Sequence, residues 1–168
     1  MKHTVLFFLF VTGSVLSSNA QDIGQCPCCT REHNQFSFWI GEWNVYDTLG
    51  NKVGENSIIA DQNNCVLIEK WVSPTSTGTS INYYDRNDKT WNQVWIDNVG
   101  NPLILKGSYS DGKMSMTSNL TKGLKVDFYY NRITWEKRED GSVVQNWSIL
   151  DKEYKHLATQ FVGIYRRK

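Results

Sequence analysis

The sequence predicts an all-β protein, an up-and-down antiparallel barrel of about ten strands. Three observations carry this. No segment beyond residue 20 sustains an apolar repeat of helical period; short runs rich in β-branched and aromatic residues stand there instead. The links between the runs are short and rich in Gly, Asn and Asp, as in "TLGNK", "DRNDK", "DNVGNP", "SDGK" and "EDGS". Such links join neighbouring antiparallel strands, and the Asp-Gly pairs at 111–112 and 140–141 suit hairpin turns because both residues tolerate positive φ. A meander of this length leaves two open edges, and closure into a barrel removes both.

The elements follow in order. Lys2 and His3 precede the apolar run "TVLFFLFVTGSVL", and "SNA" ends in small residues before Gln21. Residues 1–20 are therefore expected to be a secretory signal peptide cleaved after Ala20. The alternative is a membrane anchor, but the uninterrupted apolar part is shorter than the roughly 20 residues a spanning helix needs. Cys26 stands well past that run, which argues against a lipoprotein signal. Residues 21–36 form a cysteine-containing arm with a short helical turn near 27–34. Residues 37–168 form the barrel, with strands near 38–47, 53–61, 65–72, 77–85, 91–98, 103–108, 113–118, 124–130, 133–137, 142–150 and 156–166. No later stretch is apolar enough to span a bilayer.

Charge narrows the partners. The 18 Lys and Arg include Lys2, so the mature chain balances 17 of them against 17 Asp and Glu. A neutral chain without a basic stripe argues against nucleic acid and against electrostatic attachment to anionic lipid. A small molecule is the expected partner. All seven Trp and all eight Tyr lie beyond the leader. That many aromatics either fill a core or line a pocket.

Alternation within the strands sorts their faces. One face of 91–98 carries Trp91, Gln93, Trp95 and Asp97; 77–85 offers Ser80, Asn82 and Tyr84, and 65–72 offers Leu67, Glu69 and Trp71. Val143, Gln145 and Trp147 share a face, as do Thr159, Phe161, Gly163 and Tyr165. A tight β core would carry Val, Ile and Leu there. Trp or Tyr beside an amide or carboxylate fits the wall of a wet pocket, where rings stack and polar groups orient a ligand. The expected ligand-binding residues are Glu69, Trp71, Asn82, Tyr84, Trp91, Gln93, Trp95 and Trp147. The competing reading has two-sided strands with these polar faces in solvent.

The reactive-looking residues allow several chemistries. Cys26, Cys28, Cys29 and Cys65 are all the cysteines, and export implies disulfides. A Cys29–Cys65 bridge is expected to pin the arm to the barrel. Cys26 and Cys28 then pair with each other, pair between chains, or stay free. The alternatives are a soft-metal site from these thiolates and His33, or a redox Cys26-x-x-Cys29, which lacks its usual strand–helix context. The only other histidine of the mature chain, His156, opens the last strand and, facing inward, could ligate haem; a solvated or structural role is the alternative. Glu69 or Asp97 could act as a general acid or base, or serve as an ion-pair partner and a turn residue. No catalytic or nucleotide-binding fingerprint occurs, so no cofactor is assigned and no catalytic residue is named.

"IGEW" holds Gly41-x-Trp43 at the start of the first strand and resembles the signature of lipocalin and calycin barrels. The resemblance implies that Trp43 closes one barrel end beneath an Arg of the last strand, here Arg166 or Arg167 in "GIYRRK". A closer resemblance covers almost the whole mature chain. "QFSFWIGEWNVYD", "GENSI", "NCVLIEKW", "GTSINYYDRNDKTWNQVWIDNVG", "LKGSYSDGKMSM" and "RITWEKREDGSVVQNWSI" look, in that order, like the bacterial secreted lipocalin-like family called domain of unknown function 1579. The family's pattern has Asp where Ser37 stands and Gly where Asn64 stands; neither departure touches the barrel argument. The resemblance implies a periplasmic location. In a bacterial chain the glycosylation sequons at Asn119 and Asn146 carry little meaning. The family brings no settled activity, so three readings remain: a small-ligand binder, an enzyme on the same barrel using Glu69 or haem, and a solid-cored envelope interaction module.

Overall fold

The computed structural model describes residues 26–123 and 127–168; the expected leader, 1–20, lies outside the described residues. Ten strands close into an antiparallel barrel. They are β1 (Gly41–Tyr46), β2 (Lys52–Asp61), β3 (Val66–Val72), β4 (Thr77–Asp85), β5 (Thr90–Asp97), β6 (Pro102–Ser110), β7 (Lys113–Ser118), β9 (Phe128–Lys137), β10 (Val143–Leu150) and β11 (His156–Arg167). Each pairs with the next, and β11 returns to β1 with Arg167 opposite Trp43 and Tyr165 opposite Val45. The two-residue β8 (Thr121–Lys122) pairs only with the start of β9, outside the ring. No edge of the ten-strand ring is left unpaired.

Two expected boundaries are corrected. Residues 124–126 of the expected run 124–130 lie outside the described residues, and its remainder is not separate from 133–137: β9 is continuous from Phe128 to Lys137. Asn131 and Arg132 read as a turn, but both stay in register with β10, and Asn131 accepts a hydrogen bond from Trp147 Nε1 at 2.8 Å. A partnered amide is tolerated inside a barrel, so the polar pair does not break the strand. The helical turn near 27–34 lies later, as a 3-10 helix over His33–Trp39, and β1 begins at Gly41 rather than at 38. A 3-10 helix eclipses residues i and i+3. That lays Phe36 on Trp39, with centroids 4.9 Å apart and planes 14° from parallel.

This helix plugs one barrel end. Phe36 meets Trp91 edge-on at 5.6 Å and Trp135 at 5.2 Å. Trp43 donates Nε1–H to Trp39 O at 2.9 Å. Arg167, not Arg166, covers Trp43, its guanidinium 4.0 Å from the ring centroid, and donates to Ile40 O at 2.7 Å. Arg166 lies over Tyr46 instead. Gly41 has φ 141°, and a Cβ there would stand 1.7 Å from Arg167 Nη1. Both the backbone and the approaching cation therefore require glycine.

The arm is held against the plugged end by disulfides, but not by the expected one. Cys65 pairs with Cys28, not Cys29, and Cys29 pairs with Cys26. The reason is a tight turn: Cys29 N–H donates to Cys26 O at 3.1 Å, which brings those two Cα atoms to 5.3 Å and turns the buried Cys28 toward Cys65. The barrel's other end carries the turns after β1, β3, β5 and β10. Three of these begin with an Asp, at 47, 97 and 151, whose carboxylate accepts backbone N–H groups two and four residues on.

Candidate functional site

Register decides which side chains meet inside the barrel. Ile58, Glu69, Ser80, Trp95 and Leu103 form one inward row across β2 to β6. Leu67, Asn82, Gln93 and Leu105 form the row below it, toward the plug. Asn56, Trp71, Gly78 and Asp97 form the row above, toward the open rim. From these rows Glu69, Trp71, Gln93, Trp95, Asp97 and Leu103 line a cavity of ≈ 430 Å³. Trp135, Trp147, Phe161 and Tyr165 face them from β9, β10 and β11. Four indoles thus line one chamber, a wall that no solid aliphatic core would need.

Two glycines shape that wall. A Cβ on Gly78 would fall 2.1 Å from Trp95 Cζ2, and one on Gly54 would fall 2.5 Å from Trp71 Cη2. Both indoles lie against bare backbone and line the cavity. Trp71 also meets Phe161 edge-on, with centroids 6.1 Å apart. A β-bulge at Gln160 in β11, between the Trp147–Phe161 and Ser148–Thr159 pairs, brings Gln160 as well as Phe161 to the cavity.

The polar groups form one directed chain. Gln93 Nε2 donates to Asn82 Oδ1 at 2.7 Å; Asn82 Nδ2 donates to Ser80 Oγ at 2.8 Å and to Leu67 O at 3.2 Å. Ser80 Oγ–H donates to Glu69 Oε2 at 2.5 Å, and Asn56 Nδ2 donates to Glu69 Oε1 at 2.7 Å. From Gln93 through Asn82 and Ser80, one donor at each step points toward the Glu69 carboxylate. Glu69, Ser80, Asn82, Gln93 and Asn56 are all buried. Burial pushes the Glu69 carboxyl up to about 7, against the pull of the Ser80 and Asn56 hydrogen bonds. Tyr165 is raised well above the usual phenol range, first by burial and then by the Glu69 charge; its hydroxyl donates to Gln145 Oε1.

Of the eight expected ligand-binding residues, the fold brings Glu69, Trp71, Gln93, Trp95 and Trp147 to the cavity wall. Asn82 stands behind that wall, holding Gln93 and Ser80. Tyr84 and Trp91 do not reach the cavity: both pack at the plugged end, Tyr84 against His33 and Trp91 against Phe36. Their strands run the length of the barrel, so a shared face does not mean a shared height. Trp135, Gln145 and Phe161 also line the cavity. Gln145 and Phe161 stand on faces that the alternation identifies, and the Ile133/Trp135 alternation within 133–137 carries the signal for Trp135.

The other chemistries are answered by position. All four cysteines are in disulfides, so none offers a thiolate to a metal. Among the described residues no three His, Cys, Asp or Glu group together as a metal site would require. His33 is buried, hydrogen-bonded to Thr30 Oγ1 at 2.8 Å, and pulled below the usual imidazole range by burial and then by Arg86. His156 does not face inward; it is exposed at the open rim beside Thr159. Asp97 serves the turn at the cavity mouth, where Asn101 and Val99 hold its carboxyl below the usual range. No helix among the described residues is long and apolar enough to cross a membrane. No family model matches the chain, and no curated protein matches it.

Proposed function

We propose that the protein binds a small organic ligand in the barrel cavity, entering at the rim opposite the plug. One observation carries the reading: four indoles and a buried, fully directed polar chain share a chamber of ≈ 430 Å³. That volume lies within the roughly 300–1,000 Å³ of small-molecule sites, and its mix of aromatic wall and few convergent polar groups is theirs. The indoles supply contact area, and the Gln93–Asn82–Ser80–Glu69 chain fixes orientation. Titration with lipids, sugars and aromatic metabolites, followed by tryptophan emission and thermal melting, tests it. Saturable quenching with a raised melting temperature from one class is expected; no response from any class sinks the reading.

An acid/base enzyme on the same barrel is the second reading, favoured by one observation, the Glu69 carboxyl raised to about 7. It would be carried by a cavity ligand that is turned over by the native protein and bound, unchanged, by a Glu69→Gln variant.

The proposal also sets the chain in the bacterial secreted lipocalin-like family, domain of unknown function 1579, on the ordered motifs from "QFSFWIGEWNVYD" to "RITWEKREDGSVVQNWSI". It has the chain exported to the periplasm behind a cleaved leader. The two disulfides support an oxidising compartment. N-terminal sequencing of the mature protein should begin at Gln21.

A further inference from the structure

We infer that the cavity's ligand is an organic cation, an ammonium group on an apolar body, held against the indole faces with Glu69 as its counter-ion. The inference rests on the small-ligand reading of the same cavity and names its chemistry. Two observations carry it. The first is the charge inventory of the wall. The titratable and charged side chains lining the cavity are Glu69, Asp97 and Tyr165; no Lys, Arg or His lines it among the described residues. The groups packed on Glu69 are neutral: Asn56 on β2 and Ser80 on β4, with Tyr165 facing it from β11. A buried carboxylate without a protein cation is costly, and a cationic ligand supplies the missing partner.

The second observation is the surrounding π surface. Trp71, Trp95, Trp135 and Trp147 present indoles to the chamber, and Trp71 and Trp95 lie against Gly54 and Gly78. Indole faces are the best cation–π partners among side chains. Gln93, one of three Gln lining the cavity, commits an Nε2 hydrogen to Asn82 in the chain that ends at Glu69. Two buried polar atoms near the chamber have no partner among the described residues, the acceptor Asn56 Oδ1 and the donor Trp135 Nε1. The chamber thus joins a buried carboxyl with no protein cation beside it to four indoles, the complement of an ammonium group.

Proton coupling follows. The carboxyl sits at about 7 without a cation beside it. An ammonium group favours the ionised form, so binding below that pH must displace a proton. Affinity for a cation should rise by about tenfold per pH unit from pH 5 toward 7 and level off above it.

Four probes decide: 2-phenylethylammonium, benzyltrimethylammonium, neutral 2-phenylethanol and phenylacetate, each titrated by tryptophan quenching from pH 5 to 9. At pH 8 both cations should bind more tightly than 2-phenylethanol by about tenfold or more, and phenylacetate should bind weakest. Glu69→Gln should weaken the cations by about tenfold to a hundredfold and flatten their pH profile, with 2-phenylethanol little changed. Trp95→Leu, which keeps an apolar wall, should weaken benzyltrimethylammonium more than 2-phenylethanol, independently of how well the Glu69 variant folds. Equal binding of cation and alcohol, or preference for phenylacetate, overturns the inference and leaves the small-ligand reading standing. Binding of none of the four overturns the inference, and the small-ligand reading falls with it only if no lipid or sugar binds either.

Discussion

Ser80 stands directly opposite Glu69 on the neighbouring strand and donates its hydroxyl to Glu69 Oε2 at 2.5 Å. That contact ends a chain of hydrogen-bond donors and holds a buried carboxyl at a cavity that no basic side chain lines among the described residues. Most of what the barrel can do chemically follows from that pair.

Stability should depend on pH through Glu69. Its carboxyl is raised from 4.5 to about 7 in the folded protein. The folded state therefore holds the proton more tightly than the unfolded chain. The associated stability is fully present below about pH 4.5 and is lost as pH rises through about 7, by an amount on the order of 3 kcal/mol. Urea unfolding at several pH values should show this decline in the native protein and its absence in Glu69→Gln. Parallel profiles would contradict it.

The two disulfides should contribute unequally. Cys28–Cys65 closes a loop with a sequence separation of 37, Cys26–Cys29 one of 3. By chain entropy the first stabilises by about 4 kcal/mol and the second by roughly 1.5 kcal/mol. Paired Cys→Ala variants compared by urea unfolding measure the difference. Peptide mapping under non-reducing conditions tests the pairing itself, and a Cys29–Cys65 peptide would refute it.

Gly41→Ala should cost about 2 kcal/mol, because an L-residue at φ 141° is strained and its Cβ displaces Arg167. In an Arg167→Ala background the clash disappears and only the backbone strain remains. A double-mutant cycle in chemical denaturation should therefore show that the two costs do not add.

Gly78→Val should reshape the cavity while leaving the plug intact. The new side chain meets Trp95 at its six-membered ring and pushes the indole off the sheet. Tryptophan emission should shift and ligand quenching weaken. A variant with native emission and native affinity would show that Trp95 does not lie on Gly78.

Much of the fold was legible from local rules. Period-two alternation and Asp/Asn/Gly turns pointed to the strand order, and the resemblance of Gly41-x-Trp43 and a terminal Arg to the lipocalin signature pointed to the closed end. The pairing of Arg167 rather than Arg166 with Trp43 was not legible, because register at the barrel seam decides which of two adjacent residues turns inward. The cavity was legible by face but not by height. Trp91 and Trp95 alternate identically, yet one packs against the Phe36 plug and the other lines the chamber. The plug is what separates them, and it comes from "QFSFW", where Phe36 reads as arm and Phe38 and Trp39 as the start of a strand, whereas a 3-10 turn stacks Phe36 on Trp39. The cysteine pairing failed for a similar reason, since a local turn in the arm chose between neighbouring residues.

The most direct test of the binding cavity is a crystal structure of the protein soaked at pH 8 with 2-phenylethylammonium. The account predicts the probe between Trp71, Trp95 and Trp147, with its nitrogen within hydrogen-bond distance of a Glu69 oxygen. An interior filled by those indoles, with no probe inside the barrel, would contradict it.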